Sequence, residues 1–76
     1  MMVFIVTCSF NTSGTLIDFA FKSEADAKAY ADALNNDKSK AVARCKELIA
    51  LREGEAMVKF LDEKSITFTV LAAELK

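Results

Sequence analysis

Two stretches of period-two alternation separated by a cluster of turn formers open this chain, and they commit it to a β-hairpin before any helix begins. From Met2 to Ser9 the residues are nearly all apolar or β-branched, with Met2, Phe4, Val6 and Cys8 on one face and Val3, Ile5 and Thr7 on the other. Asn11-Thr12-Ser13-Gly14 supplies the turn, with Gly14 free to take a positive φ. Thr15 to Phe21 then alternates again, setting Ile17, Phe19 and Phe21 against Leu16, Asp18 and Ala20. Because both faces of the first strand are apolar, its sheet must be covered twice or be met by a partner.

The period then changes from two to 3.6. Ser23-Glu24-Ala25-Asp26 is a loose capping box with an acidic first turn, and Ala27, Tyr30, Ala31 and Leu34 recur at helical spacing behind it. Asn35-Asn36-Asp37 interrupts this helix, and Asn36 or Asp37 can cap the next one. The second helix is predicted from about Lys38 to Glu53, since Ala41, Val42, Cys45, Leu48, Ile49 and Arg52 keep to one face and Gly54 stands where a helix stops. Residues 56–61 are ambiguous: Gly54 and the short apolar run favour a strand, and prolonged helix is the alternative. Asp62 to Ser65 reads as a turn into a strand over Ile66 to Leu71, where Ile66, Phe68 and Val70 alternate with Thr67, Thr69 and Leu71. The expected fold is one compact α+β domain over 1–76, a two-layer sandwich of order β-β-α-α-β-β. Its mostly antiparallel four-stranded sheet would carry both helices on one face, with three strands if 56–61 is helical.

The chemistry-bearing residues are sparse. The 76-residue chain has no His, and that removes the side chain most often used for proton transfer near neutral pH. Two Cys separated by 37 positions, with no His, fall short of a zinc ligand set, and Glu53, Glu55, Asp62 and Glu63 lack the spacing of a calcium loop. Neither an enzyme nor a cofactor or metal protein is expected. Ten Lys and Arg against eleven Asp and Glu give a formal charge of -1, too balanced to draw the whole molecule onto nucleic acid or an anionic membrane. The apolar N-terminus has no positive region and no cleavage site, and no apolar run is long enough to span a bilayer, so a cytoplasmic location with reduced Cys8 and Cys45 is expected.

Two features point to recognition by contact. Lys38, Lys40, Arg44 and Lys46 form a basic stretch at the start of the second helix, where cations oppose the macrodipole. Val3 and Ile5, with Leu71 and Ala73 of the last strand, supply apolar side chains to a sheet face that the helices do not cover. The expected function is a small non-enzymatic module that binds a protein partner stoichiometrically, or its own copy as a homodimer. The alternative is a nucleic-acid-binding protein that uses the basic helix 38–46. In size and in its lack of catalytic residues the chain is similar to the small proteins that phages and mobile elements encode to inhibit host or defence machinery, anti-CRISPR proteins among them. That likeness implies an inhibitor, extends only to length and composition, and brings no residue with it.

Overall fold

The computed structural model describes residues 1–12 and 14–75. Strands β1 (Met2–Phe10) and β2 (Gly14–Phe21) form the expected hairpin, helices α1 (Glu24–Asn35) and α2 (Lys38–Glu53) follow, and strand β3 (Thr67–Glu74) closes an antiparallel sheet of order β2-β1-β3. Both helices are capped as their sequences suggest: the Ser23 hydroxyl accepts from the Asp26 amide and the Asp37 carboxylate from the Lys40 amide. Ala27, Ala31 and Leu34 of α1 and Ala41, Cys45, Leu48 and Ile49 of α2 are buried against Val6, Cys8, Phe10 and Phe68 of the sheet, and these residues make the core. Among the described residues of the hairpin turn, Asn11 has positive φ (φ 54). Gly14 is required for room, because a Cβ there would lie 2.5 Å from the Phe10 ring.

The fourth strand expected over 56–61 is instead a 3-10 helix, Glu55–Phe60, followed by a second short one, Glu63–Ser65. The reason is the period of the apolar residues together with the lack of a strand to pair with. At three residues per turn Val58 and Leu61 fall on one side and pack on the core, while Met57 and Phe60 stay exposed. Gly54, at φ 97, turns the chain out of α2, and the Met57 amide bonds the Gly54 carbonyl to start the new turn. β3, which would have been the hairpin partner, pairs with β1 along its whole length, from Met2 opposite Glu74 to Ser9 opposite Thr67. Asn11 fastens the 3-10 segment to the hairpin: its side chain donates to the Phe60 carbonyl and accepts from the Asp62 amide.

A second departure lies in β2. Ile5 faces Ala20 and Thr7 faces Ile17, so Asp18 and Phe19 together oppose Val6 in a β-bulge. The extra residue reverses the alternation beyond it. Phe21 therefore joins Leu16 on the helix side instead of sharing a face with Ile17, and Asp18 and Phe19 both turn toward the helices.

Candidate interaction surfaces

The helices occupy one side of the sheet only. The other side is built from Val3, Ile5, Thr7 and Ser9 of the central strand, Thr15, Ile17 and Ala20 of β2, and Thr67, Thr69, Leu71 and Ala73 of β3. None of these side chains is charged, although 28% of the chain is. The face divides into an apolar half around Ile5, Leu71 and Ala20 and a hydroxyl-bearing half, where the Thr7 and Thr69 hydroxyls lie 2.9 Å apart. Val3 and Ile5, read from the sequence as binding residues, both sit on this face. Val3 is only 8% exposed and Ile5 is half-buried, so the large apolar side chains that the face leaves open are Ile17 and Leu71, at 52% and 56% exposure.

The basic stretch does not form one surface. Lys38 and Lys46 line a shallow groove of about 510 Å³ with Ser39, Val42, Ala43 and Glu63, and the Lys46 ammonium is 3.1 Å from the Glu63 carboxylate. Lys40 is exposed beside the N-cap and does not line the groove. Arg44 turns inward. Its Nε and Nη2 donate to Asp18 Oδ1 at 2.9 and 2.5 Å, its Nη1 reaches Glu47, and its guanidinium lies 4.9 Å from the centre of the Phe19 ring.

Asp18 is the residue that the sequence pattern hides. Its side chain is fully buried at the bulge, and the Tyr30 hydroxyl donates to its other oxygen at 2.6 Å. The one available signal was a carboxylate within an alternating apolar strand, together with an Arg and a Tyr on the helix faces turned toward it. Arg44 is held charged well above its ordinary range by its bonds to the Asp18 carboxylate. Tyr30 is pushed up to about 12 by burial first and by its bond to Asp18 next.

The Tyr30 shift is directly measurable, because the chain contains one Tyr and no Trp. The phenolate absorbance of the folded protein should titrate with a midpoint near 12, against about 10 in urea. Since the folded state holds this proton more tightly than the unfolded chain, the stability it confers is complete below about pH 10 and is lost as pH rises toward 12. A folded-state midpoint at the unfolded value would show that Tyr30 is not bonded to Asp18.

Cys8 and Cys45 are both free and buried, on β1 and α2, and the neighbouring Cys45 together with burial pushes the Cys8 thiol up. A thiol so shielded is a poor nucleophile. Among the described residues no group of three or more His, Cys, Asp or Glu is placed to hold a metal ion, and no helix is long and apolar enough to cross a membrane. Comparisons with protein-family models, with curated proteins and with solved structures found no match.

Proposed function

We propose that this chain is a non-enzymatic interaction module that binds a protein partner stoichiometrically through the uncovered face of its sheet. The observation that carries this reading is the absence of charge across all three strands of that face, in a chain where more than a quarter of the residues are charged. A sheet face meant only for water alternates polar and charged residues outward, whereas apolar and hydroxyl side chains without charge suit contact with a surface of similar character. An inhibitor that works by covering part of a larger assembly would use the same face.

The nucleic-acid alternative draws less support from the geometry. Arg44 is engaged with Asp18 and Lys46 with Glu63, which leaves Lys38 and Lys40 as the remainder of the basic stretch. Salt distinguishes the two: phosphate binding weakens steeply as salt rises, while contact through an uncharged face changes little.

Ile17→Lys and Leu71→Lys place a cation at the two exposed large apolar side chains of the face. Since both residues are exposed, each should change stability by no more than about 0.5 kcal/mol. Partners retained by the tagged parent protein in its native cells should be lost from both variants, in moderate and in high salt. Retention of the same partners by folded variants would rule out this face as the binding surface.

A further inference from the structure

One edge of the sheet that carries the uncovered face is open to extension. We propose that two copies of the chain join through β3, antiparallel about Ala72, so that two three-stranded sheets become one and their uncharged faces merge into a single docking platform. The proposal rests on the reading of that face as the binding surface and adds to it the second copy that completes the site.

The edge is defined by backbone alternation. Leu75 donates its amide to the Met1 carbonyl at 2.7 Å, and Ala73, Leu71, Thr69 and Thr67 follow in the same phase opposite β1. The amides and carbonyls of Phe68, Val70, Ala72 and Glu74 therefore point away from the sheet. Those of Phe68 are already taken. The Asn35 side chain accepts from the Phe68 amide at 2.9 Å and donates to its carbonyl at 2.8 Å, acting as a short stand-in for a neighbouring strand. Free pairing positions begin at Val70. Beyond this point Ala72 and Glu74 are exposed.

Beyond the Asn35 plug β3 carries little of the usual protection of an edge strand: it contains no Lys, no Pro and no bulge, and its one charge is Glu74 at the end. β2, at the opposite edge, is interrupted by the bulge at Asp18 and Phe19. The free stretch of β3 is its own complement. A two-fold axis at Ala72 sets Ala72 against its copy and Val70 against Glu74, and these facing pairs exchange roughly six hydrogen bonds. The Asn35 plug fixes this register by stopping the pairing at Phe68.

A second copy on the edge also enlarges the face. Three strands spaced about 4.8 Å apart and eight residues long give a face of roughly 370 Å² in projection, and joining two sheets through β3 doubles it while leaving both uncharged faces on the same side.

Light scattering on the eluting protein should give twice the 8.3 kDa of the chain. Amide exchange at Val70, Ala72 and Glu74 should slow as concentration rises. Chemically synthesised chain with N-methylalanine at position 72 loses an outward donor and none of the β1–β3 bonds, so it should fold and elute at 8.3 kDa; Ala72→Pro removes the same donor by expression. A parent protein that is monomeric at its highest soluble concentration, or a folded N-methyl variant that remains dimeric, would overturn the proposal. Ile17→Lys separates the two readings, because it lies on β2, away from the joined edge. If Ile17→Lys abolishes capture while the parent is monomeric, only the dimer is wrong; if the parent is dimeric and Ile17→Lys changes nothing, only the binding face is wrong.

Discussion

Arg44→Ala should destabilise the fold by about 3–5 kcal/mol, which is the scale expected when one partner of a buried ion pair is removed. The substitution leaves the Asp18 carboxylate fully buried with the Tyr30 hydroxyl as its sole remaining partner. The carboxylate has no exposed side-chain surface in the parent, so the cost expected is that of an uncompensated charge and not of one lost hydrogen bond. A single core in a chain this size supplies only about 3–5 kcal/mol of net stability, so most of the variant should be unfolded in the absence of ligand. Replacing both partners, Asp18→Leu with Arg44→Met, should restore stability to about that of the parent, because the charge to be compensated is gone. Urea titrations followed by circular dichroism give both numbers. A loss below about 1 kcal/mol for Arg44→Ala would mean that water takes the place of the guanidinium beside Asp18.

The second large effect is expected at Phe68, the largest fully buried side chain and the point where β3 meets the helices. Phe68→Ala removes a ring packed among the core side chains of β1 and both helices and should cost about 3–5 kcal/mol. Phe68→Leu keeps most of the volume and should cost about 1 kcal/mol. The difference between these variants separates packing from backbone effects, since both preserve the two bonds to Asn35. Equal losses for Ala and Leu would assign the cost to the shape of the ring and not to an empty volume.

These two residues also mark where the sequence was legible and where it was not. Phe68 lies in the plainest alternating stretch of the chain, and its burial follows from that pattern. The hairpin, the extents of α1 and α2, the caps Ser23 and Asp37 and the helix stop at Gly54 are local signals of the same kind. The face bearing Val3, Ile5, Leu71 and Ala73 was legible because β1 is apolar on both sides. Asp18 and Arg44 were not, because their meaning is a contact between residues 26 positions apart at a bulge that no periodicity announces. A cation on a helix reads as a surface charge until its partner is known, so Arg44 joined Lys38, Lys40 and Lys46 in the pattern and leaves them in the fold. Residues 56–61 are apolar at every position but Lys59, so the pattern does not distinguish a period of two from a period of three. What decided that segment was the pairing of β3 with β1, a choice made far away in the chain.

That same pairing governs the order of assembly. β1 meets β2 across a tight turn, but its other neighbour begins only at Thr67, on the far side of both helices in sequence. The central strand thus leaves the ribosome well before β3, and its far side stays without a neighbour until residues 67–74 have been synthesised. Contacts of such high sequence separation slow folding and leave a hydrophobic strand open to mispairing in the interval. Nascent chains truncated before Thr67 should consequently be the form of this protein that chaperones hold.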